Sequence, residues 1–392
     1  MEPYEQRRPA SKEPQHFGFL DALRGFASLA VIATHTAQNV SPGVFEPLAD
    51  YGQYGVQLFY IVSAFSLCLS LEQRSSAHES APYRNYMLRR FFRIAPLFWI
   101  AVVVFLLKPL VLPDATAPID VHPPTWRLNS LHVLVTLLFI NGWHHRTINF
   151  IVPGGWSVAV ESNFYLLLPK LYAWTRTLTR AFVLVGASLV FGALCRPLLY
   201  HAFYDRVPVE QQTAFGIFSM MWLPSQLSVF ALGLLMYQLV PRSSIGWRGW
   251  GARRWALPLA TLIAGAAATR ITSEDVLRLF PRFFLYGCAL FGFAWLLAWM
   301  PVRLLVNRVT VFFGRISYSL YLFHFLFLHL VLWLIPGARQ LPYILVLLLV
   351  TVPTIGIATI THRFIERGGQ ALGKRLIARL ESRARGRIPA QV

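Results

Sequence analysis

The sequence predicts an all-α integral membrane protein with about ten transmembrane helices and one half-membrane segment. Apolar residues make up 56% of the 392-residue chain and charged residues only 14%, against about 25% charged residues in soluble domains. Apolar runs of about 20 residues, the length that crosses a hydrocarbon core as a helix, recur almost to the end of the chain. Basic residues gather in the connections between these runs. These observations place most of the chain in lipid.

The ten predicted spans cover residues 17–38, 52–71, 94–112, 156–174, 181–200, 215–240, 255–270, 282–300, 312–335 and 342–361. Segment 131–141 is also apolar but has only about half of the required length. If it crossed the membrane fully, every later basic connection would change sides. We therefore interpret it as a half-membrane or re-entrant segment, which is tolerated where protein or water surrounds the backbone.

Arginine and lysine are concentrated in alternate connections, which the positive-inside rule places in the cytoplasm. This pattern predicts a multi-pass membrane protein with both termini in the cytoplasm, and we expect the membrane to be the bacterial cytoplasmic (inner) membrane. We expect residues 1–16 to form a disordered cytoplasmic arm, residues 17–362 the membrane domain, and residues 363–392 a basic cytoplasmic tail. The first apolar run carries Asp21 and Arg24 and has no small-residue cleavage site, so we expect it to be retained as a span.

The net charge of +19 raises the alternative of a nucleic-acid partner. The basic residues are dispersed over loops and the tail instead of lying on one face, so we expect the lipid bilayer and no nucleic acid. The cysteines Cys68, Cys195 and Cys288 lie singly in apolar runs without the spacing of metal ligands. No metal site is therefore expected.

The first span carries two ionisable residues on one helical face. Arg24 and His35 are eleven residues apart, which brings them to within about 20° around the helix and separates them by roughly 16 Å along it. Ionisable groups at membrane depth are costly and therefore indicate function. In the fourth span, Ser157 and Glu161 share a face, and Glu161 is expected at the depth of His35. This placement predicts His35 as a general base oriented by Glu161.

Two further groups of polar residues are candidates for substrate contacts. Arg90 and Arg93 begin the third span at the level of Arg24, and three guanidiniums there are suited to binding phosphates. The alternative is that they only anchor the helix at the cytoplasmic surface. Ser317, Tyr321 and His324 form one stripe with Tyr318 nearby, and this face is expected to line a channel. The alternatives are a hydrogen-bonded core role for His324 and a helix–helix contact for Glu161.

These segments resemble membrane acyltransferase family 3. The opening pattern of the family is met by Leu20, Asp21, Leu23, Arg24, Gly25, Ala27, Val31 and His35. Its later patterns are met by Arg90, Arg93 and Pro96, by Trp156, Ser157, Glu161, Phe164, Tyr165 and Pro169, and by Ser317, Tyr318, Leu320, Tyr321 and His324. Where the family frequently has aspartate and glycine in the second span, this chain has Gln57 and Ala64, and Gly368 replaces a proline near the end.

The resemblance implies an integral membrane O-acyltransferase that moves an acyl group, acetyl in most members, from acyl-CoA to a hydroxyl. It implies acetyl-CoA or another acyl-CoA as the donor, and a polysaccharide, a lipid-linked sugar or a macrolide as the acceptor. His35 and Glu161 are then the catalytic residues. Arg24, Arg90, Arg93, Ser157, Tyr318, Tyr321 and His324 are expected to bind the donor. The alternatives are a transporter or flippase of a glycan precursor or amphipathic solute, and an unrelated membrane-bound O-acyltransferase with a buried histidine.

Overall fold

The computed structural model describes residues 17–75, 79–112, 127–240 and 252–385, and this part of the chain is helical without any strand. The all-α class is therefore confirmed. The predicted arm 1–16, most of the 241–254 connection and residues 386–392 of the tail lie outside the described residues.

The α-helices of the described residues are α1 (Gly18–Ala37), α2 (Glu46–Gly52), α3 (Gly55–Ser75), α4 (Pro82–Val111), α5 (Ser130–Leu137), α6 (Gly155–Trp174), α7 (Leu178–Phe203), α8 (Gln212–Met221), α9 (Leu223–Leu239), α10 (Ala252–Ala268), α11 (Glu274–Leu279), α12 (Arg282–Trp299), α13 (Arg308–Leu334), α14 (Tyr343–Thr361) and α15 (Arg367–Arg385).

A helix lies at each of the ten predicted spans, namely α1, α3, α4, α6, α7, α9, α10, α12, α13 and α14. Within the described residues, seven helical stretches are long and apolar enough to cross a membrane, and they contain α3, α4, α7, α9, α12, α13 and α14. The chain is thus a multi-pass membrane protein, and the count of ten crossings stays a prediction. The segment predicted as half-membrane forms only the eight-residue helix α5.

Two predicted boundaries are wrong. The third span was expected to begin at residue 94, but α4 begins at Pro82, so the basic stretch before residue 94 is helical and not a loop. Proline at the first helical position supports this start, because its missing N–H would be unpaired there anyway. The predicted span 215–240 is interrupted at Trp222, where the backbone is extended and Pro224 follows at the second position of α9. Proline has no N–H for the carbonyl four residues earlier, here that of Met220, and its ring clashes with that carbonyl, which breaks a helix before this point.

Helices α1 and α13 run parallel and approach each other closely through glycine. A Cβ atom at Gly314 would lie 1.8 Å from the backbone oxygen of Asp21, and one at Gly25 would lie 2.7 Å from the backbone oxygen of Thr310. Small residues allow this approach, which is how helices pack in lipid where the hydrophobic effect contributes little. The close contact brings Arg24 and His35 of α1 to the side of α13.

The end of the membrane domain is fixed by a buried carboxylate. A π-helical turn, His362–Glu366, joins α14 to α15. Glu366 is 1% exposed and accepts a hydrogen bond from Ser319 of α13 at 2.5 Å. The residue thereby ties the start of the predicted tail to the helix that carries Tyr321.

The predicted basic tail forms α15, which packs along the first turns of α4. Glu381 of α15 accepts hydrogen bonds from the Ser80 backbone N–H at 2.9 Å, the Asn85 amide at 2.7 Å and the Ser80 hydroxyl at 2.7 Å. These bonds stabilise the ionised carboxylate and lower the pKa of Glu381 to about 2. The tail is therefore docked on the membrane domain through residue 381.

Candidate active site: two cavities that meet at Tyr321

The first cavity lies at the end of the bundle where α1, α4 and α13 begin. Its volume is about 90 Å³, and its charged lining residues are Arg24, Arg90, Arg93 and Glu161. Three guanidiniums and one carboxylate give this lining a formal charge of 3 − 1 = +2. We call it the arginine cavity. The structure therefore brings the three arginines together, as predicted. Ser157, Tyr318 and Tyr321 line the same cavity.

The arginines of this cavity differ in their partners. Arg24 donates to Ser66 Oγ at 2.8 Å and lies 3.3 Å from Asp21 Oδ1, so part of its charge is balanced. Within the described residues, Arg90 and Arg93 form no ion pair, and the buried Nε of Arg90 has no hydrogen-bond partner. Both side chains are half-buried, and a guanidinium partly withdrawn from water without a bonded anion is costly, so these two residues are suited to an anionic ligand.

The second cavity lies toward the other end of α1 and has a volume of about 490 Å³. His35 lines it, together with the aromatic rings of Tyr54, Trp156 and Tyr321. We call it the histidine cavity. Its volume falls in the range of about 300–1,000 Å³ that is usual for small-molecule sites.

His35 is bonded to a second histidine, and this contact fixes which nitrogen is basic. His35 Nδ1 lies 2.8 Å from His324 Nε2, and His324 Nδ1 lies 2.7 Å from the carbonyl oxygen of Tyr321. A carbonyl only accepts, so His324 Nδ1 carries hydrogen and its Nε2 accepts from His35 Nδ1–H. The tautomer is assigned from this chain of hydrogen bonds. His35 Nε2 is then the acceptor nitrogen, which is what a general base requires.

The two cavities meet at Tyr321, which lines both of them. The Tyr321 hydroxyl donates to the carbonyl oxygen of Gly154 at 3.0 Å and accepts from Ser157 Oγ at 2.7 Å. Gly154 has a φ of +75°, and a Cβ atom there would lie 3.0 Å from the tyrosine oxygen. Glycine is therefore needed both for the backbone conformation and for the close approach. This hydroxyl pair lies at the junction of the arginine cavity and the histidine cavity.

The placement of Glu161 corrects the sequence-based prediction. Glu161 was expected to orient the His35 imidazole, but it lines the arginine cavity and accepts a hydrogen bond from Tyr165 at 2.7 Å. His324 was expected to line a channel with Tyr321, but it is 1% exposed and is hydrogen-bonded to His35, which is the core role given as the alternative. The predicted depth of Glu161 was wrong as well, because Glu161 lies with Arg24 in the arginine cavity and not at the level of His35.

Two arginines that line the histidine cavity were not predicted. Arg196 of α7 and Arg282 of α12 both border it. Arg196 lies inside the predicted span 181–200, so an intramembrane charge was already visible in the sequence. Arg282 begins its helix and gave no such signal, because arginines at span ends are common anchors.

A half-buried imidazole with one nitrogen fixed by a hydrogen bond and the other free to accept a proton, at the edge of a substrate-sized cavity, is typical of enzymes that activate a hydroxyl for attack. The fold and the site thus define a membrane-embedded group-transfer enzyme. A family model described as an acyltransferase domain, that of acyltransferase family 3, matches residues 17–363. The chain belongs to this family and is a membrane O-acyltransferase.

The chain is similar to two acyltransferases of known name. It is 28% identical over 331 residues to the acyltransferase MdmB of Streptomyces mycarofaciens, which covers 78% of each chain. It is 24% identical over 160 residues to the peptidoglycan O-acetyltransferase OatA of Listeria monocytogenes, which covers 38% of this chain and 23% of that protein. No solved structure matches the chain.

Proposed function

We propose that the protein transfers an acyl group, acetyl in the simplest case, from acyl-CoA to a hydroxyl of a carbohydrate or related acceptor. In this proposal the donor enters at the arginine cavity and the acceptor occupies the histidine cavity. The observation that carries the proposal is the His35–His324 pair, which leaves one basic nitrogen at the edge of the larger cavity.

The arginine cavity supports a phosphate-bearing donor. A volume of about 90 Å³ is too small for a nucleotide, since small-molecule sites usually exceed about 300 Å³. It suits the slender pantetheine arm, with the nucleotide outside the bundle and its phosphates against Arg90 and Arg93. About 16 Å of helix separates Arg24 from His35, a distance that an extended arm is able to span.

The transfer step follows from the orientation of the imidazole. His35 Nε2 takes the proton of the acceptor hydroxyl while the hydroxyl oxygen attacks the thioester carbon. The new C–O bond forms, the C–S bond breaks, and the CoA thiolate leaves and takes up the proton that His35 has held. His324 accepts from His35 Nδ1–H throughout, which stabilises the imidazolium that forms in the transition state.

The test uses the purified protein in nanodiscs with [14C]acetyl-CoA and a panel of sugar acceptors. Release of CoA thiol and acetylation of the acceptor are measured together by a thiol reagent and by mass spectrometry. We expect His35→Ala to abolish transfer while thermal unfolding stays unchanged. Movement of a solute across the membrane with no release of CoA would instead support a transporter and overturn the proposal.

A second variant tests the donor site. Lysine keeps the charge of arginine but lacks the planar fork that binds phosphate through two hydrogen bonds. We expect Arg93→Lys to raise the KM for acetyl-CoA several-fold with little change in kcat. Arg89→Lys is the matched control, because Arg89 lies on the same helix but pairs with Glu79 at 2.9 Å and does not line the cavity. Equal KM values in both variants would contradict phosphate binding by Arg93.

A further inference from the structure

We propose that the acceptor is an anion, and that Arg196 and Arg282 bind its carboxylate or phosphate group in the histidine cavity. This inference rests on the proposed function, which makes the molecule bound in the histidine cavity the acceptor. The chemical class that it names is an acidic sugar or a phosphorylated, lipid-linked sugar.

The first observation is the charge of the cavity wall. Arg196 and Arg282 line the cavity together with His35, and the residues that line it include no aspartate or glutamate. Within the described residues neither guanidinium forms an ion pair, whereas the neighbouring Arg278 lies 3.5 Å from Asp275. The wall therefore carries a formal charge of +2 with no internal counter-ion.

The second observation is where the two arginines lie. Arg196 is seven residues before the end of α7, or about 10 Å below it. An arginine that served only as an anchor would extend to the membrane surface, whereas Arg196 borders the cavity. Arg282 is the first residue of α12, where the helix dipole already favours a negative group. A cation at that position is unfavourable until an anion joins it.

The third observation is that the rest of the wall carries no further formal charge and that amides and aromatic rings lie among its apolar residues. Gln57 and Gln226 are hydrogen-bonded to each other at 3.1 Å, and Tyr54 stacks on Tyr286 at a ring distance of 3.7 Å. Amides and flat rings are suited to the hydroxyls and faces of a sugar. Gln57 is neutral and adds no negative charge to the cavity. A cationic amino sugar is therefore disfavoured here, and an acidic sugar is favoured.

The test of the charge is independent of catalysis. A variant lacking Cys68, Cys195 and Cys288 receives Gln38→Cys, which places a thiol on the cavity wall. The thiol is modified with two methanethiosulfonate reagents, one carrying an anionic sulfonatoethyl group and the other a cationic trimethylammonioethyl group. Each modification rate is divided by the rate of the same reagent with a free thiol, and the two normalised rates are compared. We expect the anionic reagent to be favoured, and Arg196→Gln with Arg282→Gln to lower that preference at least about tenfold.

Two controls accompany this measurement. The first control has lysine at positions 196 and 282, which keeps the charge and is expected to retain the preference for the anionic reagent. The second is Arg339→Gln, which removes one charge from the same end of the molecule at a residue that does not line the cavity, and is expected to have no effect. A preference that survives the double glutamine variant, or that falls equally in Arg339→Gln, would overturn the proposal.

The ligand is then tested with two sugars that differ in one group, methyl β-D-glucuronide and methyl β-D-glucoside. In nanodiscs of phosphatidylcholine alone, we expect the glucuronide to protect Gln38→Cys from modification at a concentration at least about tenfold lower than the glucoside. The double glutamine variant should lose this difference. Equal protection by both sugars, or protection that depends only on added phosphatidylglycerol, would show that the site does not select an acidic sugar.

Acetyl transfer from [14C]acetyl-CoA to the same two sugars separates this inference from the proposed function. Greater transfer to the glucuronide than to the glucoside supports both. Selective protection by the glucuronide without acetyl transfer to either sugar would contradict the acyl-CoA-dependent reaction but would still support the anion site. Transfer to both sugars at equal rates would support the reaction and overturn the anionic acceptor.

Discussion

Replacing His324 with leucine removes the hydrogen-bond acceptor of His35 and leaves a side chain of similar size in the α1–α13 contact. The variant loses the 2.8 Å bond between His35 Nδ1 and His324 Nε2 and the 2.7 Å bond between His324 Nδ1 and the Tyr321 carbonyl. His35 then has no fixed tautomer, and its imidazolium has no acceptor in the transition state. We expect His324→Leu to lower the rate of acyl transfer.

The magnitude follows from the hydrogen bond that is lost. A hydrogen bond to a charged group contributes about 1.5–3 kcal/mol, and each 1.36 kcal/mol in the barrier is tenfold in rate. The kcat of His324→Leu should therefore fall about 10- to 150-fold, with the KM for the donor unchanged. His324→Gln keeps an acceptor oxygen near His35 and should lose less than about tenfold.

The assay is the initial rate of acceptor acetylation at saturating acetyl-CoA, with thermal unfolding of each variant in nanodiscs. His329→Leu is the matched control, because His329 is a buried histidine on the same helix whose two ring nitrogens have no hydrogen-bond partner within the described residues. It should keep the wild-type rate. A His324→Leu protein with wild-type kcat would refute the orienting role, and an equal loss in both variants would point to the packing of α13.

Three further predictions concern assembly, the tail and sidedness. Gly314→Val should destabilise the protein by about 3 kcal/mol, the upper end of the usual cost of overpacking, because its Cβ would overlap the α1 backbone, and this should be seen as a lower Tm. Gly356→Val is the control, because a Cβ atom there meets open space, and it should be neutral. The folded pKa of Glu381 is about 2, below the unfolded value of about 4.3, so docking of α15 should be constant from pH 5 to 8 and weaken only as the pH falls toward 2. Glu381→Gln should increase proteolysis of α15 at pH 7, and a cleavage rate like that of the wild type would contradict the docking. In a variant without native cysteines, Ser41→Cys should react with an impermeant thiol reagent on intact spheroplasts and Ser382→Cys only after lysis, and the reverse pattern would invert the topology.

The sequence was sufficient for the helical class and for the three arginines of the arginine cavity. Spacing on one helix is enough to place Arg24 and His35 on a common face, and hydropathy located the apolar helices at the ten predicted spans. These properties are local, since they depend on residues within a few turns of each other.

The partner of His35 was not predictable in the same way. Neither the exact depth of a side chain nor the rotation of one helix against another is readable from sequence. Glu161 was the candidate for the imidazole, but it lies with Arg24, and the close approach at Gly25 and Gly314 brings His324 of α13 to His35. Arg282 was missed for a related reason, because only the tertiary fold brings it to the histidine cavity.

The hydroxyl contact between Tyr321 and Ser157 has a consequence for the bilayer as an insulator. Two cavities that opened to opposite faces of a membrane and joined freely would form a water path, and a membrane that stores a proton gradient would discharge through it. In the proposed reaction, an acyl arm that reaches His35 from the arginine cavity would displace this contact and fill the space that it opened. The substrate would then act as its own plug, so that the thioester would pass between the cavities while protons and small ions would not.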